Sequence, residues 1–278
     1  MKIARLLLIV SFLFADAAAF AQGTAPTFRY STTAGVVTLP GRDPAQGGTT
    51  VIPTMLVPVR LQFETAQTAG KPATLDPMQT VPWVLRSPVF SSAAFAAETT
   101  QYADTMLRAT LGTKAIAGWH TLLGQSEVKP VTVKIPAGYG YLLTSKRTGT
   151  VLGIADAEYV QRAIFLQIPH QDGKLVIAMT RNTAYYVYGD ATVCCSWGTH
   201  GVDSATGNSF VLASFLASPP PLVEERDVQP LTEQLAQWLK NPLHDPLFHI
   251  AVGRPMPAAE NIVPRWEFPQ LDAAEPRG

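Results

Sequence analysis

Val51–Phe63 reads V-I-P-T-M-L-V-P-V-R-L-Q-F. It is the most β-prone stretch of the chain, rich in β-branched and large apolar residues. Leu56, Val57, Val59, Leu61 and Phe63 are set against Pro58, Arg60 and Gln62, a near two-residue period that predicts a half-buried strand. Pro53 and Pro58 lack the N–H that a ladder needs, which predicts an edge or a bend. Working outward, Val131–Ile135 (V-T-V-K-I) and Lys174–Met179 (K-L-V-I-A-M) are further strands. Ala184–Tyr188 follows the latter after an Asn-containing loop, as in a hairpin. Ser209–Phe215 is another apolar segment.

Three stretches have helical spacing instead. In residues 97–111, Tyr102, Met106, Leu107 and Thr110 share a face and Gly112 is a stop signal. Asp156–Gln167 carries Tyr159, Val160, Ile164 and Leu166, with Pro169 beyond it. Pro230–Lys240 places Leu231, Leu235, Trp238 and Leu239 on one stripe, with Pro230 in the first turn and Pro242 as the stop. Strands and helices mix without a βαβ rhythm, so the fold class is α+β, a mixed sheet with a few packed helices.

The ends differ from this middle. Lys2 and Arg5 precede Leu6–Phe14, an apolar run shorter than the roughly 20 residues a spanning helix needs. Ala19-Phe20-Ala21 then fits the small-x-small cleavage rule, so 1–21 reads as a secretory signal peptide. Cleavage after Ala19 and retention as a membrane anchor are the other readings. No cysteine lies near the cut to carry a lipid anchor. Residues 22–49, rich in Gly, Thr, Ala and Pro, are expected to be a flexible arm with a short strand at Val36–Leu39. Residues 50–254 form one α+β domain, with a linker at Pro219–Pro221, and 255–278 a proline-rich tail.

Removing 21 of the 278 residues leaves 19 basic and 20 acidic side chains, a net charge of −1. That balance gives no electrostatic case for nucleic acid or anionic lipid. No later run is long and apolar enough to span a bilayer. The expected location is periplasmic or extracellular, the partner an unidentified protein or small-molecule ligand, and no cofactor is implied.

The chemistry-bearing residues are few. Cys194 and Cys195 are adjacent and, in an oxidising compartment, can pair with each other, pair with another chain, or remain buried thiols. His200 sits in a glycine-flanked loop beside them, while His244 and His249 flank Asp245 in a proline-containing loop. These three histidines are the candidate metal ligands, although their spacing is not that of a zinc motif. Ser126-Glu127-Val128-Lys129 matches S-x-x-K by letter, but Pro130 forbids the helix which that motif requires. There is no H-E-x-x-H, and Gly207-Asn208-Ser209-Phe210-Val211 lacks the closing glycine of a nucleophile elbow.

Four stretches carry a resemblance: Ser87-Pro88-Val89-Phe90, Thr99–Asp104 (T-T-Q-Y-A-D), Cys194-Cys195 with Thr199-His200-Gly201, and the helix ending Trp238-Leu239-Lys240-Asn241-Pro242. The chain is similar there to a group of poorly characterised secreted bacterial proteins with a zincin-like helix reading H-E-V-x-E-W-x-x-D-P. The resemblance implies a metallopeptidase-like domain in which the helix histidine binds metal and the next glutamate activates water. Alignment on Trp238 and Pro242 places Glu233 at the histidine, Gln234 at the catalytic glutamate and Gln237 at the second acid. A glutamine amide cannot take up a proton as a carboxylate does. The expectation is therefore a degenerate, non-catalytic domain. The alternatives are a metal-dependent hydrolase built on His200, Glu233, His244 or His249, and a redox-responsive protein built on the cysteine pair. For the leader, N-terminal sequencing of the exported protein is expected to start at Gln22; a start at Met1 would contradict cleavage.

Overall fold

The computed structural model describes residues 26–243, apart from 33–34, 69–70, 96–97, 145–148, 188 and 218–226. The expected signal peptide, the Pro219–Pro221 linker, the tail from Pro255, His244 and His249 lie outside the described residues. Along the chain, β1 (Thr27–Thr32) and β2 (Gly35–Pro40) precede the long β3 (Thr49–Thr68) and β4 (Lys71–Leu75). Then come α1 (Val81–Arg86), the two-residue strands β5 (Ala93–Ala94) and β6 (Thr99–Thr100), and α2 (Tyr102–Leu111). The strands β7 (His120–Val128), β8 (Val131–Ile135), β9 (Gly140–Thr144) and β10 (Val151–Asp156) lead to α3 (Ala157–Phe165). Last are β11 (Leu175–Arg181), β12 (Thr183–Val187), β13 (Asp190–Ser196), β14 (Gly198–Val202), β15 (Ser209–Phe215) and α4 (Gln229–Lys240). The fold is α+β, as the pattern implies.

The stretch expected at an edge or bend is the centre of the main sheet. β3 pairs in parallel with β7 and then β8 on one flank, and with β11 and then antiparallel β4 on the other. Both prolines sit where the pairing changes. At Pro53 the register with β7 shifts, Ile52 facing Leu123 and Thr54 facing Ser126. Gly124 makes this approach possible, since a Cβ there would meet the Val51 side chain at 3.0 Å. Pro58 is the last residue paired with β11, and β4 takes over at Leu61. The missing N–H groups thus fall at interruptions in the ladder, which is how a central strand tolerates them.

β3 is also buried on both faces rather than one. Ile52 and Leu56 face one apolar core; Met55, Val57, Val59, Leu61 and Phe63 face the other. Its neighbours alternate alike: Leu175, Ile177 and Met179 of β11, and Val211, Ala213 and Phe215 of β15, join the first core. Val176, Ala178, Phe210 and Leu212 join the second. The first core is closed by α1, α2 and α4, the second by α3 and a four-stranded sheet in the order β13-β12-β10-β9. The central sheet is therefore the middle of three layers.

Three boundaries differ from expectation. Residues 22–49 do not form a loose arm where they are described: β1 and β2 pair as a hairpin, and Phe28 and Leu39 are buried in the first core. Phe28 packs edge-on against Trp119, whose indole N–H donates to the Arg42 carbonyl at 2.8 Å. β11 and β12 are not a hairpin, because they belong to different sheets. Asn182 turns the corner with φ 44°, a conformation asparagine tolerates better than most residues. Its amide donates to Phe215 O and its side-chain oxygen accepts from Ala217 N. The helix expected from residue 97 starts at Tyr102, since Thr99–Thr100 pairs with β5.

Gly112 (φ 57°) ends α2, Asp156 caps α3 by accepting from Tyr159 N at 2.8 Å, and α4 matches its predicted span within one residue. Among the described residues, no helix is long and apolar enough to cross a membrane. Gly153 of β10 lets the two sheets close: a Cβ there would lie 2.8 Å from Leu75 Cδ1 and 2.9 Å from Phe63 Cζ. Gly153→Ala is expected to lower stability by about 1–3 kcal/mol through overpacking, measured by urea unfolding.

Candidate functional site

The three helix positions singled out in the sequence project in different directions. α4 lies across β14 and β15 and against α2. Gln234 is buried, and its Cγ would be 2.8 Å from a Cβ placed on Gly198 of β14, so the helix seats itself on a bare strand. Its Oε1 lies 3.2 Å from His200 Nδ1. An amide oxygen only accepts, so this contact is a hydrogen bond in the tautomer that carries its proton on Nδ1. Gln237 is exposed.

Glu233 is half-buried at the α2–α4 interface and accepts from Gln229 Nε2 at 3.3 Å. Burial pushes its carboxyl above the ordinary carboxylate range, and the Gln229 bond partly offsets that. The nearby Tyr102 hydroxyl is buried and has no hydrogen-bond partner among the described residues. Burial first, and the Glu233 charge second, raise the Tyr102 phenol.

Trp238 and Pro242 act as anchors. Trp238 donates from Nε1 to Ser209 Oγ at 2.7 Å, and Ser209 Oγ contacts the Pro242 carbonyl at 3.5 Å. The other similar stretches are stitched together as well. Tyr102 N donates to Pro88 O at 2.8 Å. Gln101 extends this by donating to Phe90 O and Leu123 O while accepting from Leu123 N. Its side-chain amide thus behaves like one more residue in the ladder beside β7.

Sequence reading passed over Glu98, Asp104 and His120 as a group. Asp104 is fully buried; its Oδ1 accepts from Thr121 N and its Oδ2 from Thr100 Oγ1, each at 2.8 Å. His120 Nδ1 is 2.8 Å from the same Oδ2. Glu98 pairs with Arg108, whose other end donates to Trp119 O at 2.7 Å. One ligand atom from each of Glu98, Asp104 and His120 lies within 4.8 Å of the other two. The signal in the sequence was Asp104 itself: it stands three residues before Leu107 and seven before Leu111, on the buried side of α2. A carboxylate there needs partners from another element.

Cys194 and Cys195 are bonded to each other on β13, Cys194 partly covered and Cys195 exposed. Cys194 stands opposite Tyr186 and packs, with Trp197, on a small cluster of Leu152, Ile154, Ala184 and Tyr186. His200 is on the next strand in sequence, β14, which belongs to the central sheet beyond the Ser196–Gly198 corner. A cleft of about 300 Å³ lies elsewhere, where Thr74 and Asp76 meet Thr150, Arg181 and Asn182. Arg60 holds Asp76 at its rim.

No protein-family model matches the chain, and neither a curated protein nor a solved structure is significantly similar to it. Two substitutions probe the α4 packing. Trp238→Phe removes the N–H that donates to the buried Ser209 hydroxyl and should cost about 1–3 kcal/mol in urea unfolding. For Glu233, the raised folded-state pKa means that its contribution to stability is present in acid and is lost as pH rises through that raised value. Glu233→Gln should therefore unfold at higher urea than the wild type at about pH 8, with the gap closing near pH 4; a gap that widens in acid would contradict this.

Proposed function

We propose that this chain is an exported, non-catalytic binding protein built on a degenerate metallopeptidase-like domain. The observation that carries the reading is the state of Gln234. It stands where the resemblance puts the catalytic glutamate, yet it is an amide, buried against Gly198 and bonded to His200. A group held in that way has no proton-accepting oxygen to offer a water molecule. Glu233, at the metal-histidine position, is occupied by Gln229 and the α2 interface, and Gln237 faces solvent. Trp238 and Pro242, the matching residues, serve packing against β15. Export is supported by the positive, apolar and small-residue segments of 1–21. The partner is a protein or small-molecule ligand of the compartment outside the cytoplasm.

The test is hydrolysis of a quenched fluorescent peptide library by the purified protein with zinc chloride added. No turnover above a heat-denatured control is expected. Chelator-sensitive turnover that disappears in His200→Ala would overturn the proposal in favour of an atypical metal-dependent hydrolase.

A further inference from the structure

We infer that Glu98, Asp104 and His120 form a binding site for a single divalent cation of the zinc class, separate from the α4 residues. The donors come from three places in the fold: the residue before β6, the first turn of α2 and the first residue of β7. Their ligand atoms already lie within 4.8 Å of one another. One imidazole nitrogen with two carboxylates is a donor set that suits zinc better than magnesium or calcium, which prefer oxygen alone.

Charge points the same way. Asp104 is fully buried, and its partners other than His120 are neutral, a threonine hydroxyl and a backbone N–H. Among the described residues, the Arg108 guanidinium of this group is matched by Glu98. A carboxylate buried this deeply favours a positive counterpart beside it, because an isolated charge is poorly solvated in a low-dielectric interior. A divalent ion between the imidazole and the carboxylates supplies that counterpart.

The geometry needs little change. Tetrahedral ligands on zinc stand about 3.3 Å apart, so the 2.8 Å contact between His120 Nδ1 and Asp104 Oδ2 has to open slightly and Glu98 has to swing inward. The supporting contacts are in place: Thr121 N and Thr100 Oγ1 hold the Asp104 carboxylate, and Arg108 orients Glu98. His120 and Glu98 side chains each keep 29% of their surface exposed, which gives an entry path and leaves a fourth coordination position facing solvent. Binding there would tie α2 to β7, and the open position would suit water or a carboxylate from a ligand.

The experiment is calorimetric titration of the purified full chain with zinc chloride, followed by thermal unfolding with and without zinc. One zinc per chain with a Kd of about 10 µM or tighter is expected. His120→Gln, which keeps a donor towards Asp104, and Glu98→Gln should each weaken binding about tenfold or more and abolish the zinc-dependent rise in Tm. Circular dichroism of both variants would verify that they fold. His170→Gln, at an exposed histidine paired with Asp172, should bind like the wild type. Absence of zinc binding, or undiminished binding by folded His120→Gln or Glu98→Gln, would refute the site. Because the readout is binding, these results stand apart from the peptidase assay.

Discussion

Burial of β3 on both faces is the constraint from which the architecture follows. A strand with apolar residues on both sides needs a layer above and a layer below, and its backbone needs partners along both flanks. β7 with β8 supplies one flank, and β11 with β4 the other. The even-numbered side chains Ile52 and Leu56 call for α2 and α4; the odd-numbered series from Met55 to Phe63 calls for α3 and the second sheet. Pro53 and Pro58 do not weaken this arrangement, because they divide β3 into segments at which partners change.

The polar interior follows the same logic on a smaller scale. Gln101 and Asp104, the buried polar side chains that link α2 to the sheet, each take up a backbone N–H of β7. Gln101 bridges the loop at Phe90 and the strand at Leu123, and Asp104 gathers Thr100, His120 and Thr121. The exceptions stand out for that reason. Among the described residues, the Tyr102 hydroxyl near Glu233 and the hydroxyls of Thr105 on α2 and Thr121 on β7 have no hydrogen-bond partner. The interface around α2 is thus where packing has been satisfied at the expense of polar pairing.

Much of the fold was legible where one physical signal acted alone. The apolar stripe of α4, its Pro230 start and Pro242 stop, the strand Val131–Ile135 and the glycine end of α2 all follow from local chemistry. The misread parts are those decided by distant partners. Two prolines in Val51–Phe63 suggest an edge only while the ladder is taken to be uninterrupted, and the glycine- and threonine-rich 22–49 looks loose until Trp119 is brought to Phe28. The β11–β12 turn reads as a hairpin because nothing local reveals that Asn182 hands the chain to another sheet. At the candidate sites, Gln234 and His200 were each marked in the sequence, but their direct bond depends on the bare surface of Gly198. Glu98 and His120 carry no local mark at all, since 22 residues separate them and only the turn from α2 to β7 brings them together.

The first core also imposes an order on folding. It is opened by Phe28 near the start of the described chain and closed by Leu239 near its end, with β3 waiting for β11 and β15 to arrive from more than a hundred residues away. Such long-range parallel pairing is slow, because loop closure precedes any compensating contact. A chain lacking β15 and α4 cannot seal that core, because Val211, Ala213, Phe215, Leu235, Trp238 and Leu239 form part of it.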